Sequence, residues 1–396
     1  MMAGHTDESR TSRIMPRNRN GAEVIVVGGG AIGLAIAREV RARGRTVLVL
    51  ESGRAGSGAS WAAAGMLSPL GEALDPGPFL SFGLESLALW PSLAQDLEEE
   101  SGVAVELRRS GKLRVAFTEP ERLRLHRRLE WAREQGVPAQ WMEPAEVTRA
   151  VTGIGPSALG GLLLEDDYRV DNRALSQALL ASARKKGAEI RETERVRGVQ
   201  IDAGRCTGLY LEDGTTLEAG CVVLAAGAWS GRIQGLPVAV PVRPVRGEMV
   251  ALRPAETPPS LILESESAYL VPRDDGRLLA GATEDEVGFE PGPSASGVHS
   301  VLTAAIELMP SLAEARITET WSGFRPGSPD GMPILGAYPE VDDLFLATGH
   351  YRNGILLTPA TAQSLADLID GVEPGLLPPE FNPGRVFASA ADSIPA

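Results

Sequence analysis

Glu23-Val24-Ile25-Val26-Val27-Gly28-Gly29-Gly30-Ala31-Ile32-Gly33 is the stretch that decides the fold. Its apolar, β-branched half reads as a buried strand. The strand runs straight into a Gly-x-Gly-x-x-Gly turn. A helix is expected over 34–43, with Leu34, Ala37 and Val40 on one side and Gly44 as its stop. A second strand over 46–50 ends at Glu51, at the distance from the last glycine that a dinucleotide fingerprint requires. Each glycine has a separate task. Gly28 permits the tight turn, Gly30 lets the backbone approach a pyrophosphate, and Gly33 lets helix and strand pack closely. The helix N-terminus offers N–H donors and a positive dipole end, while Glu51 can accept from ribose hydroxyls. No second fingerprint occurs, so the expectation is one bound dinucleotide.

Three further segments fit a long cofactor crossing a sheet edge. Gly56-Ser57-Gly58-Ala59-Ser60-Trp61-Ala62-Ala63-Ala64-Gly65-Met66 is a run of mostly small side chains, in which Ser60 can cap a helix. Cys221-Val222-Val223-Leu224-Ala225-Ala226-Gly227-Ala228-Trp229 reads as another buried strand ending in small residues. Phe345-Leu346-Ala347-Thr348-Gly349-His350 is a third, followed by Tyr351-Arg352-Asn353-Gly354-Ile355-Leu356-Leu357 and a helix over about 359–370. Strand C-terminal ends face the ligand crevice in a doubly wound sheet. Gly349 and Gly354 at that edge suggest backbone pressed against a flat ring.

Together these motifs resemble the FAD-dependent D-amino-acid oxidase superfamily, and within it the glycine oxidases of thiamine biosynthesis, over roughly residues 22–370. The resemblance implies an α/β fold, with a Rossmann-like FAD-binding domain and an inserted α+β substrate lobe built on an antiparallel sheet. It also implies FAD contacts at Ala31, Ile32, Glu51, Ser52, Ala59, Ser60, Ala64, Gly65, Met66 and Val196, and along His350, Tyr351, Arg352, Asn353, Gly354, Ile355 and Leu356. Gly28, Gly30, Gly33 and Gly227 join them as points of close backbone approach. Neither Cys206 nor Cys221 lies near these segments, so FAD is expected to be held noncovalently.

With 396 residues, two or three folded units are expected. The FAD-binding domain is expected to be discontinuous, over 21–78, 153–240 and 327–381, with the substrate domain at 79–152 and 241–326. A helix over 171–186 with Asp171 as cap, and a hairpin turn at Asp213-Gly214, belong to the former. Residues 1–20 carry Arg10, Arg13, Arg17 and Arg19 without an apolar core, so they read as a disordered extension rather than a secretory signal. Residues 382–396 read as a flexible tail.

A carboxylate substrate calls for a planar, bidentate cation. Arg325, set among aromatics in Trp321-Ser322-Gly323-Phe324-Arg325-Pro326-Gly327, is such a residue. The resemblance makes Arg325 the carboxylate clamp, gives Tyr269 a hydroxyl that helps hold the same group, and puts Arg352 at the substrate entrance. It assigns no certain catalytic acid or base; His350 is expected to meet the flavin through its backbone. Glu284 departs from an apolar residue that members of the family can carry near the substrate. A carboxylate lining the pocket there would favour an amine, whereas one pointing away changes nothing.

The implied reaction is oxidation of glycine and other small amines such as sarcosine and D-alanine, with hydride passing to flavin N5. O₂ then reoxidises the flavin to give H₂O₂, and dehydroglycine feeds thiazole synthesis. The alternatives are a D-amino-acid dehydrogenase delivering electrons to a quinone or partner protein, and a non-catalytic flavin-binding subunit. A formal net charge of −14 argues against a nucleic-acid partner. Two cysteines make neither a disulfide framework nor a zinc knuckle, and no metal is expected. No apolar run approaches the ~18 residues of a membrane span. A cytoplasmic protein is expected, and the resemblance implies a homotetramer.

Overall fold

The computed structural model describes residues 22–73 and 77–391. Strands Ala22–Val27, Val47–Leu50 and Glu189–Arg191 run parallel, and the second half of Thr216–Leu224 joins them on the other side of Ala22–Val27. Leu344–Thr348 extends the parallel set beside Thr216–Leu224, and Ile334–Ala337 closes that edge in the antiparallel sense. A meander of Val196–Asp202 and Arg205–Leu211 leads into the first half of Thr216–Leu224, completing an eight-stranded sheet. The continuous apolar runs follow from burial on both faces. Val24, Val26, Val49 and Val223 pack against the helices Ala31–Ala42, Asn172–Lys185 and Thr358–Ile369. Their alternates Ile25, Val27, Leu48 and Val222 pack toward the meander.

A second eight-stranded sheet has the order Arg316–Gly327, Arg243–Arg253, Leu278–Gly281, Tyr269–Pro272, Ile262–Glu264, Lys112–Ala116, Gly160–Leu164, Ala139–Met142. Every pair is antiparallel except Ile262–Glu264 with Lys112–Ala116. Helix Ala295–Leu308 covers one face through Val301, Ala305 and Leu308, which meet Val250, Leu252 and Leu278. The opposite face packs Met249, Val271, Leu279 and Trp321 against Ala62 and Ala64 of the small-residue run. The two sheets therefore meet across that run.

Three expected boundaries shift. Gly160–Leu164 pairs with Lys112–Ala116 and Ala139–Met142 in the second sheet, so the border placed at 153 falls too early. Helix Pro78–Ser101, expected to fall in the substrate domain from 79 onward, packs on the nucleotide-binding side. Its Glu100 pairs with Arg38 at 2.9 Å, and its Ser86 and Trp90 donate to the Leu356 carbonyl at 2.7 and 2.9 Å. The tail beginning at 382 is not a flexible strand throughout: Gly384–Ala391 is a helix whose Val386 is buried and whose Arg385 bonds Asp330. The proposed extension over 1–20 and the last residues, 392–396, lie outside the described residues.

Candidate active site

The turn after the first strand is shaped by what its glycines exclude. Gly28 has φ +110, and a Cβ there would stand 2.4 Å from the Ala225 carbonyl oxygen. A Cβ on Gly33 would come within 2.0 Å of the Gly28 oxygen. Backbone thus packs directly on backbone, and the N-terminus of helix Ala31–Ala42 is drawn up to the sheet edge. Gly30 occupies the N-cap without a side chain to offer. Ser60, from the small-residue run, supplies the missing acceptor: its Oγ receives the Ala31 N–H at 2.9 Å. Across the turn, the Glu51 carboxylate accepts from Gly29 N and Gly53 N, both at 2.8 Å.

These elements open onto one cavity of about 460 Å³. Of the residues singled out for the cofactor, Gly28, Gly30, Ala31, Ile32, Glu51, Ser52, Ala59, Ser60, Ala64, Gly65, Met66, Val196, Gly227 and His350 through Ile355 line it. Gly33 and Leu356 do not. Gly33 serves packing behind the turn, and Leu356 is buried with its carbonyl turned to Ser86 and Trp90. The donor set suits a flat, phosphate-bridged dinucleotide. It combines a helix N-terminus, an acid, Glu51, and walls of small residues in which Gly65 has φ +72 with no room for a side chain. A Cβ at Gly65 would lie 2.1 Å from the Val170 oxygen.

The small-residue wall is held by groups that no local motif announces. Asn172 Nδ2 donates to the Ser60 and Trp61 carbonyls at 2.9 and 2.8 Å. Arg273 Nη2 donates to Asn172 Oδ1 at 2.9 Å and to the Ala64 carbonyl at 2.8 Å. Burial pulls the Arg273 guanidinium down to about 10, which leaves it charged. Trp321 Nε1 donates to the Ala62 carbonyl at 2.9 Å. Arg173 lies over Trp61, 3.7 Å from its ring centre, and pairs both Nη atoms with Glu319 at 2.9 Å.

Arg325, Tyr269 and Arg352 line the same cavity, Tyr269 and Arg325 from strands of the second sheet. Arg325 projects over Gly247 of the neighbouring strand, where a Cβ would meet both terminal guanidinium nitrogens at 2.5 Å. Its Nη1 donates to the Thr283 carbonyl at 2.9 Å. Tyr269 Oη donates to Met249 Sδ at 3.2 Å, above Gly281, where a Cβ would be 2.6 Å from that oxygen. Glu284 follows neither expectation: it does not line the cavity, yet it binds two residues that do. Tyr351 Oη donates to Glu284 Oε2 at 2.9 Å, and Arg352 Nη1 to Oε1 at 2.7 Å.

His350 is 3% exposed, and burial pulls its imidazole down to about 3, so it is neutral at physiological pH. Its Nε2 shares a hydrogen bond with Thr361 Oγ1 at 3.1 Å. The ring is thereby turned into helix Thr358–Ile369. Burial pushes the Cys206 thiol up to about 11 and the Cys221 thiol up to about 12, and neither lines the cavity. Among the described residues no cluster of His, Cys, Asp and Glu could hold a metal, and no helix is long and apolar enough to cross a membrane.

Residues 23–368 match the protein family described as FAD dependent oxidoreductase. Glycine oxidase of Geobacillus kaustophilus is 38% identical over 355 residues, covering 89% of this chain and 93% of that protein. Its crystal structure superposes with a TM-score of 0.89 at 36% identity, covering 92% of this chain and 98% of that one. The bifunctional protein ThiO/ThiG of Synechocystis sp. is 37% identical over 374 residues, covering 93% of this chain and 54% of that longer protein. The matched region takes in the glycine turn, the small-residue run and the loop around His350 alike.

Proposed function

The chain belongs to the FAD dependent oxidoreductase family, and from that premise we infer that it oxidises glycine and other small amines, sarcosine and D-alanine among them. It is an FAD-dependent oxidoreductase acting on amines. Its resemblance to a glycine oxidase over most of both chains supports glycine as substrate, and the ThiO/ThiG relative supports a role in supplying thiamine biosynthesis. The observation that carries the reading is a guanidinium, Arg325, lining the same cavity as the dinucleotide turn.

Arg325 offers parallel N–H donors to a carboxylate, in a fork that a lysine lacks. Tyr269 lines the same cavity and carries a phenolic hydroxyl that can donate to a carboxylate oxygen. Held at both points, an α-amino acid has its Cα fixed relative to the cavity wall. His350, neutral and engaged with Thr361, contributes no charge and moves no proton. Departure of the Cα hydrogen with its electron pair, and of one amine proton to water, leaves an imine. FAD, when bound, would supply the acceptor for that electron pair, with O₂ as the final oxidant, reduced with two protons to H₂O₂. A homotetramer in the cytoplasm, with FAD held noncovalently, completes the proposal.

The test is anaerobic addition of glycine, sarcosine and D-alanine to the purified holoenzyme while flavin absorbance is followed. Bleaching by glycine, then recovery with stoichiometric peroxide on admitting oxygen, is expected. No bleaching by any small amino acid would sink the reading. Bleaching with recovery by a redox dye but not by oxygen would replace O₂ with a quinone or partner protein as acceptor.

A further inference from the structure

Residues 286–293 belong to the loop between strand Leu278–Gly281 and helix Ala295–Leu308, and all of them are exposed except half-buried Phe289. The segment is held at both ends. Arg246 and Asp285 exchange backbone hydrogen bonds at 2.9 Å in each direction. Ser294 donates from N and Oγ to the carboxylate of fully buried Glu248, both at 2.9 Å. Between these anchors Gly288 and Gly292 take positive φ, +66 and +84, and bracket Phe289. The chain thus leaves one anchor, presents a single aromatic ring, and returns to the other.

That ring completes a triangle. Phe289 lies 4.9 Å from Trp229 and 5.4 Å from Phe324, centre to centre, and Trp229 meets Phe324 edge-on at 5.9 Å. The Arg232 guanidinium covers Phe289 at 3.9 Å. Trp229, in the 3-10 turn Gly227–Arg232, and Phe324, in strand Arg316–Gly327, both line the cavity; Phe289 stands behind them and does not. Trp229 remains 36% exposed even so, so no close-packed core holds that ring independently. The same loop also reaches Arg325, the residue after Phe324, whose Nη1 donates to the Thr283 carbonyl at 2.9 Å.

We propose that Phe289 is a positioning residue that sets the largest substrate the site admits. It holds the Trp229 and Phe324 rings against the cavity and so keeps the space beside Arg325 small. The inference rests on the small-amine reading given above and names what limits it. Because Phe289 is outside the lining, its removal enlarges the site without taking away any lining group. The two rings then relax outward into the space it vacates. A bulky substituent on the amino acid gains room, whereas glycine, which carries none, gains nothing. A partly exposed cluster yields readily, so a change of about tenfold is expected, the low end for one pocket contact.

The test uses two non-oxidisable carboxylates of different bulk, acetate and phenylacetate, read by their perturbation of the flavin spectrum in the holoenzyme. Dissociation constants are measured in the wild type, Phe289→Ala and Phe289→Tyr. In Phe289→Ala the phenylacetate-to-acetate ratio is expected to fall about tenfold, with acetate changed less than about twofold. In Phe289→Tyr, which keeps the ring, the ratio should stay at the wild-type value. In parallel, kcat/KM for D-phenylalanine over glycine should rise about tenfold in the alanine variant. Should that variant shed its flavin, Phe289→Leu is read in its place with the same expectation. Equal shifts for the two carboxylates would mean that Phe289 only stiffens the fold, and no shift that the rings hold without it; either overturns the proposal. Amine oxidation with an unchanged ratio removes this inference alone. A changed ratio in a protein that oxidises no amine leaves it standing and removes the function proposed above.

Discussion

Arg325 shows how much of a binding residue's behaviour is decided by what lies under it. Its guanidinium rests over Gly247 because that position has no Cβ, and a methyl group there would sit 2.5 Å from both terminal nitrogens. If Arg325 clamps the substrate as proposed, replacing it with alanine removes two charge-assisted hydrogen bonds to the carboxylate of roughly 1.5–3 kcal/mol each. We expect kcat/KM for glycine to fall at least about 100-fold, mainly through KM, with FAD content unchanged. An unaltered KM would refute the clamp. Gly247→Ala should act in the same direction by displacing the guanidinium, raising KM for glycine about tenfold or more while the flavin spectrum stays native. Loss of flavin from that variant would show instead that Gly247 serves the whole cavity. Arg325 stood out in the sequence because an arginine among aromatics and prolines is ill placed for solvent. The need for Gly247 was not legible, since the two residues meet only when strands Arg243–Arg253 and Arg316–Gly327 pair.

At the scale of elements, the small-residue run from 56 to 66 was recognisable by its composition, and so was the block from His350 onward. What fixes the run in place was not. Asn172 and Arg273 reach it from the start of a helix and the end of a strand, more than a hundred residues along the chain, with no periodicity to mark either. Asn172→Ala would strand the Ser60 and Trp61 carbonyls and take one partner from the buried Arg273. A cost of about 1–3 kcal/mol is expected. It should appear as FAD release about ten- to a hundredfold more readily on dilution, followed by flavin fluorescence. Retention equal to wild type would mean the run holds its shape unaided. The displaced borders at 79 and 153 have a similar origin. Helix Pro78–Ser101 and strand Gly160–Leu164 carry ordinary apolar patterns, and only their tertiary partners decide which side they join.

Across the whole molecule, the second sheet buries a charge cluster that composition could not locate. Lys112 Nζ pairs with Glu264 Oε2 at 2.8 Å, and Arg114 Nη2 with Oε1 at 3.2 Å. Burial alone would raise the Glu264 carboxyl, but Lys112 and Arg114 outweigh it and hold it at about 2. An unfolded glutamate titrates near about 4.3. The depressed group therefore contributes its full stability above that pH and loses it as pH falls toward 2. Glu264→Gln takes from buried Lys112 the nearer of its acidic partners, leaving Asp167 at 3.8 Å, and should cost about 3–5 kcal/mol in urea unfolding at neutral pH. It should also flatten the loss of stability below pH 4. A variant within 1 kcal/mol of wild type, by the same principle, would mean the pair is dispensable.

Trp321 of the second sheet donates to the Ala62 carbonyl, and a Cβ on Gly323 would strike the Ala62 side chain at 2.4 Å. The wall of the dinucleotide trough is thus also the footing of the neighbouring lobe. This limits how the protein can be taken apart. A chimera that imports another lobe's strands to change substrate choice must import the matching small-residue run with them. Otherwise the graft would alter cofactor retention before it altered selectivity.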